Sequence, residues 1–336
     1  MLKKDKPVIG ISIGDINGIG PEIIIKALAD QRVLRHLTPV IFGSSKTISY
    51  YRKLLKIDDF PVFHLKEGQE PNAKRVNIIE CWEDVVEIHT GSPAEETGRK
   101  AIVALNKATD ALASGFVDAV VTAPLNKATA QADNFRFPGH TEYLGEKFGG
   151  NPLMFMVSDN LRIAVATGHV PVKEVAGLIT KESLTKKISS MKKSLVRDFG
   201  LSKPKIAVLG LNPHAGEEGL LGQEEAEIIL PVIKEFKHKG NLVFGPFPAD
   251  GFFGSGNYKK YDGILAMYHD QGLIPFKSLS FGSGVNFTAN LPVVRTSPDH
   301  GTGYDLAGKG VAAEGSLRSA LYLAVDILKN RAEAGE

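Results

Sequence analysis

Residues 7–22, Pro-Val-Ile-Gly-Ile-Ser-Ile-Gly-Asp-Ile-Asn-Gly-Ile-Gly-Pro-Glu, decide the fold class. Val8 to Ile13 is an apolar run of strand length that ends at Gly14, and a buried strand is its natural reading. Helix signals begin at Pro21 and Glu22, where a proline costs nothing because its missing N–H would be unpaired in a first turn. Strand, tight turn and helix in so few residues is the repeating unit of an α/β protein. The turn itself, GDINGIGPE (14–22), does not contain G-x-G-x-x-G, so a standard Rossmann cofactor site is disfavoured. Gly18 and Gly20 still permit a close approach to the helix opening, either by a ligand or by the chain itself.

The alternation continues outward from that turn. Thr38 to Phe42, Val117 to Val121, Leu153 to Val157, Ile163 to Ala166, Ile206 to Leu209 and Ile264 to Met267 read as strands. Helical spacing marks Glu95 to Ser114, Thr180 to Phe199, Glu224 to Phe236 and Ala312 to Ala332. This spacing predicts α/β layers on a mostly parallel sheet. With 336 residues, 43% of them hydrophobic, the chain can bury a large core and divide into two lobes. Lys and Arg (40) nearly balance Asp and Glu (38), which gives no reason to expect a nucleic acid or an anionic membrane as partner. Cys81 is the only cysteine, so an intrachain disulfide and a Cys-rich zinc cluster are excluded and a reducing cytosol fits. The apolar run after MLKKDKP is too short to span a bilayer and lacks a cleavage pattern, so a cytoplasmic location is expected.

Polar residues emerge just beyond several apolar strands: Asp15, Asn17, Asn126, His169, His214, His269 and Asp270. In open α/β sheets that edge is where ligands bind. The informative set is His169 in TGHVP, His214 in LNPHAGEEG and His269 in MYHDQG. Neutral imidazoles suit a borderline divalent ion such as zinc or cobalt and leave positions open for substrate oxygens. Any one of them alone reads equally well as a structural histidine; three in the same strand-end setting favour a metal. A second region, PFKSLSFGSGVNFTANLPVVRTSPDHGTGYDLAGKG, carries Lys277, Asn286 and Arg295, groups able to hold a phosphate and a carboxylate. Its glycines, from Gly282 to Gly310, form a candidate cofactor region, and His300 there reads as a cofactor contact or as loop support.

Taken in order, GDINGIGPE, VTAPLNK, FPGHTEYL, ATGHVP, LNPHAGEEGLLGQEE, GPFPAD, MYHDQGLIPFK and PVVRTSPDHGTGYDLAGKG resemble the 4-hydroxythreonine-4-phosphate dehydrogenase family over almost the whole chain. The opening departs from the GEPAGIGPE type found in many members. The resemblance implies a two-lobed α/β/α architecture like that of isocitrate and isopropylmalate dehydrogenases, with a non-Rossmann cofactor site. The expected division is 1–130 plus 275–336 for a lobe with the termini and the cofactor region. Residues 131–274 would form a lobe with the metal site and dimer interface, the active site lying in the cleft between the lobes.

The resemblance further implies NAD or NADP and one divalent ion (Zn, Co or Mg) on His169, His214 and His269. It implies substrate contacts from His140, Thr141, Lys277, Asn286 and Arg295, and an acid, Asp250, near the metal. Asp250 and Lys277 are the candidates for accepting the alcohol proton. A homodimer is implied, with His169 from one chain and His214 plus His269 from the other. The family reaction oxidises 4-phosphooxy-L-threonine and decarboxylates the product, in pyridoxal 5'-phosphate biosynthesis. Two alternatives stand beside it: oxidation of D-threonate or D-erythronate 4-phosphate, and metal-dependent phosphate-ester hydrolysis.

Overall fold

A computed structural model describes residues 6–66, 68–130, 137 and 139–335. The opening MLKKD and Pro138 of FPGHTEYL lie outside the described residues, and the expected lobe change at 130/131 falls on their edge. The contacts divide the chain into two compact units, 1–149 with 291–336, and 150–290.

The first unit opens with β1 (Val8–Ser12), α1 (Gly20–Ala29), β2 (Thr38–Gly43), α2 (Ser45–Leu54), β3 (Val62–His64) and β4 (Val76–Glu80). It continues through α3 (Glu95–Ala113), β5 (Ala119–Thr122), α4 (Lys127–Ala130) and α5 (His140–Phe148). In the second unit come β6 (Leu153–Ser158), β7 (Leu161–Val165), α6 (Val172–Leu178), α7 (Lys181–Arg197), β8 (Ile206–Leu209) and α8 (Leu230–His238). Then follow β9 (Val243–Phe247), α9 (Ala249–Gly254), β10 (Gly263–Ala266), α10 (His269–Leu279) and β11 (Val285–Ala289). The chain returns to the first unit with β12 (Val294–Pro298) and α11 (Gly315–Glu333).

In the first unit the strands run β3-β4-β2-β1-β5-β12, and every pair is parallel. β1 lies centrally, Ile9 opposite Pro39 of β2 on one side and Ala119 of β5 on the other, so all five of its residues are buried. The strand numbering reverses direction between β1 and β5, the place where ligands settle at the C-terminal edge of such sheets. In the second unit the order is β11-β6-β7-β10-β8-β9. β6 is antiparallel to both its neighbours, whereas β7, β10, β8 and β9 are mutually parallel. The α/β class and the mostly parallel pairing therefore hold.

The units change over at 149/150 and 290/291, later in the chain than the expected 130/131 and 274/275. Side-chain packing explains both differences. α5 stays with the first unit because Tyr143 and Leu144 join Ile102 and Leu105 of α3 in one buried cluster. α10 stays with the second because Leu273 and Phe276 join Ile163, Val165, Ile264 and Ala266 in its core. The start of α7 is set locally by a capping box: Thr180 accepts from the Ser183 amide (3.1 Å), and Ser183 accepts from the Thr180 amide (3.0 Å). Among the described residues, no helix is long and apolar enough to cross a membrane.

Candidate active site

Two groups of side chains take shape, one in each unit. In the first unit Arg295 sits in β12 opposite Val120 of β5, with only 2% of its surface exposed. Its Nε and Nη2 donate to Thr122 Oγ1 at 3.0 and 2.6 Å. Burial pushes the guanidinium pKa down from 12.5 to about 9. His140 and Thr141 open α5 in the same neighbourhood, after Gly139 in extended conformation. Burial, and then the cations Arg295 and Lys127, hold the His140 pKa well below the ordinary histidine value, so the ring is neutral at pH 7. The His140 Nε2 atom is buried and has no hydrogen-bond partner. A buried guanidinium, a nearby lysine and the first turn of a helix together suit a phosphate. Lys127 and Thr122 were not singled out from sequence; the signal was VTAPLNK, polar residues just past an apolar strand.

The glycine-rich stretch after β12 folds onto the turn after β1. Ile19 N donates to Thr302 O (2.9 Å), and Tyr304 Oη donates to Asp15 Oδ2 (2.6 Å). Burial and the Asp15 carboxylate raise the Tyr304 pKa, so the phenol stays protonated. A Cβ at Gly18 would lie 2.7 Å from Thr302 O. His300 Nε2 is buried without a partner.

In the second unit His169, His214 and His269 leave the C-terminal ends of β7, β8 and β10. β10 lies between the other two strands, parallel to both. The ring centres of His169 and His269 are 5.3 Å apart. Two imidazoles on one tetrahedral ion at the usual Zn–N distance have centres about 5 Å apart, so this pair fits a shared ion. His269 Nδ1 lies 2.6 Å from Asp270 Oδ1, a pairing that would fix the ring tautomer and leave Nε2 able to take an ion. His214 does not close the set: among the described residues no group of three His, Cys, Asp or Glu side chains is arranged to hold a metal ion. His169 and His269 thus approach each other within one chain.

Backbone links fix the strand ends. Thr167 Oγ1 and N donate to Met267 O at 2.8 and 3.1 Å, tying β7 to β10. Gln271 Oε1 accepts from Met267 N (2.6 Å) while its Nε2 donates to Gly210 O (2.7 Å), tying β10 to β8. Asn286 lies on β11 opposite Met156, and its Oδ1 is buried without a partner. Lys277, in the last turn of α10, and Asp250, in the first turn of α9, are exposed. Cys81 belongs to neither group; burial pushes its thiol up to about 12, which keeps it unreactive.

The family described as pyridoxal phosphate biosynthetic protein PdxA matches residues 35–324. The chain belongs to this family. A Bacteroides thetaiotaomicron protein named 4-hydroxythreonine-4-phosphate dehydrogenase is 49% identical, over 98% of this chain and 91% of its own length. A Cutibacterium acnes relative, whose name gives D-threonate 4-phosphate dehydrogenase as an unconfirmed activity, is 39% identical over 96% of this chain and 94% of its own. The crystal structure of a Klebsiella pneumoniae 4-hydroxythreonine-4-phosphate dehydrogenase superposes with a TM-score of 0.80 at 34% identity, covering 97% of this chain and 99% of that one. A PdxA-family chain thus carries a buried cationic group in one unit and strand-end histidines in the other.

Proposed function

We propose that this PdxA-family chain oxidises the secondary alcohol of 4-phosphooxy-L-threonine with NAD or NADP. The resulting β-keto acid loses carbon dioxide to give 3-amino-2-oxopropyl phosphate, in pyridoxal 5'-phosphate biosynthesis. The observation that carries the reading is the issue of three histidines from neighbouring parallel strands, two with ring centres 5.3 Å apart. The substrate follows the name of the Bacteroides relative, and the Cutibacterium name supports D-threonate or D-erythronate 4-phosphate as the alternative.

A divalent ion (zinc, cobalt or magnesium), when bound, would supply Lewis acidity toward the alcohol and ketone oxygens, and the nicotinamide would supply the hydride acceptor. His169, His214 and His269 would hold the ion. Arg295, Lys127 and the α5 first turn with His140 and Thr141 bind the phosphate. The neutral His140 ring contributes a hydrogen bond from Nε2 rather than a charge. Lys277 and Asn286 orient the other end of the substrate, and the alcohol proton passes to Asp250 Oδ or Lys277 Nζ. His300 Nε2, buried and unmatched in the glycine-rich loop after β12, suits a cofactor contact.

A homodimer with a shared site belongs to the same proposal. Each histidine segment exposes large apolar side chains: Val172 after His169, Leu220 after His214, and Ile274 and Phe281 after His269. Exposed apolar side chains of this size on each histidine segment support an interface there. We assign His169 and His269 to one chain and His214 to its partner. Side-by-side turnover of the three 4-phosphorylated acids with NAD and NADP tests the substrate. Reduced nicotinamide and carbon dioxide should appear fastest from 4-phosphooxy-L-threonine. Faster turnover of a threonate phosphate overturns the substrate, and phosphate release without nicotinamide reduction overturns the reaction class.

A further inference from the structure

The backbone that presents His214 is unusual. His214, Ala215, Gly216, Glu217 and Glu218 have φ of 54, 52, 82, 41 and 55°, five successive left-handed residues of which four carry a Cβ. A Cβ crowds the following carbonyl oxygen in that conformation, so such a run persists only where its surroundings over-determine it. The structure points to what does so. Glu225 is 5% exposed and begins a π-helical turn, Glu225–Ile229, that leads into α8. Its Oε1 accepts from the amides of Leu211 (2.7 Å) and Asn212 (2.8 Å), and its Oε2 accepts from Asn212 Nδ2 (3.0 Å). Asn212 Nδ2 also donates to Glu224 Oε2 (2.8 Å). A Cβ at Gly216 would lie 2.6 Å from Glu225 Oε2, so the carboxylate also backs the middle of the turn. One buried side chain thus grips the run at its entry and at its centre.

We propose that Glu225 is a positioning residue for His214: its carboxylate fixes the left-handed turn from which that imidazole is presented and thereby sets the affinity of the site for a divalent ion. The inference rests on His214 being a metal donor and deepens that reading. Outer-layer groups of this kind change metal affinity by roughly 10–100-fold when altered. A merely structural Glu225 would change the stability of the metal-free protein and leave the affinity of the folded fraction alone.

The test uses the full chain with Co²⁺ as probe. Affinity is read by competition with a chelator, geometry by the Co²⁺ visible absorption, and folding by thermal unfolding of the metal-free protein. In Glu225→Gln an amide replaces the carboxylate and cannot accept at both ends. Asn212→Ala removes only the outer partner. The expected result is roughly 10–100-fold weaker Co²⁺ binding in Glu225→Gln and about tenfold in Asn212→Ala, with a changed absorption band in both. Parental affinity and spectrum in both variants overturn the inference and leave the metal reading intact. If Glu225→Gln does not fold, parental Co²⁺ affinity in Asn212→Ala alone overturns it. A parent that takes up no Co²⁺, or a His214→Ala variant that binds as tightly as the parent, overturns the metal reading and the inference with it.

Discussion

Replacing Arg295 by Met should weaken catalysis without weakening the fold. In the native chain the guanidinium is buried, and its pKa falls from 12.5 to about 9. A fall of that size destabilises the ionised form by on the order of 5 kcal/mol relative to water. Its hydrogen bonds, two of them to Thr122 Oγ1, offset part of this, and loss of those two leaves a buried hydroxyl short of a partner, worth about 1–2 kcal/mol. Methionine fills similar volume with no charge, so the ligand-free variant should unfold at the parental temperature or a few degrees higher. Catalysis moves the other way. Removing a buried, charge-assisted phosphate contact costs about 3 kcal/mol, or roughly 150-fold in kcat/KM, mostly as a higher KM.

The pH dependence has a definite sign. The folded pKa lies below the unfolded one, so the penalty is in full force below pH 9 and lifts as pH rises from about 9 toward 12.5. The parent should therefore gain stability on the variant between pH 8 and pH 10. Thermal unfolding at both pH values and steady-state kinetics with 4-phosphooxy-L-threonine check the two halves. A variant that unfolds far below the parent, or one that keeps kcat/KM within threefold, would refute the reasoning.

His214→Ala should lose divalent-ion content and reduce kcat/KM by more than the roughly 100-fold expected of a residue behind a ligand; equal metal content and activity would defeat the assignment. Mixed dimers separate the ligand allotments: His169→Ala paired with His214→Ala should regain some activity, whereas His169→Ala paired with His269→Ala should not. Recovery in both pairings would restore the allotment that sets His169 apart, and recovery in neither would place all three donors in one chain. His140 should titrate well below an ordinary histidine, because burial, and then the cations Arg295 and Lys127, oppose its protonation; a ¹⁵N imidazole titration with a midpoint near the ordinary value of 6.5 would contradict this.

How much of this was legible in the sequence depended on whether a residue's role is local. β8 is an unbroken apolar run and β1 nearly so, and both read directly as strands. β12 is fully buried yet spelled VRTSP, because its polar atoms are matched inside the fold: Arg295 to Thr122, and Thr296 Oγ1 to Ala320 O at 2.8 Å. β9, VFGPF, hides behind a glycine and a proline. The three histidines were legible because each closes an apolar strand. The adjacency of His169 and His269 was not, since it depends on β7 and β10 being neighbours across about a hundred residues of sequence. Glu225 falls within the helical spacing of Glu224 to Phe236, and its grip on Asn212 is invisible without coordinates.

The missing dinucleotide fingerprint has a physical explanation in the first unit. The glycines of GDINGIGPE and GTGYDLAGKG face each other: Gly18 leaves room for Thr302 O, and Gly303 leaves room for Ile19. Around that contact Lys26 Nζ donates to Gly310 O (2.8 Å) and Ala312 O (2.7 Å), while Glu22 Oε1 accepts from Ala312 N (2.9 Å). Glycine here serves the approach of one segment to another, where a Rossmann turn uses it to admit a pyrophosphate. The glycine-rich segment after β12 is therefore tied by its own hydrogen bonds to the turn after β1 and to α1. Substituting Gly18 or Gly303 should then disturb the loop in the free protein as much as in the complex. A residue that senses the cofactor alone must be one whose polar atom the loop leaves unmatched, and His300 Nε2 meets that condition.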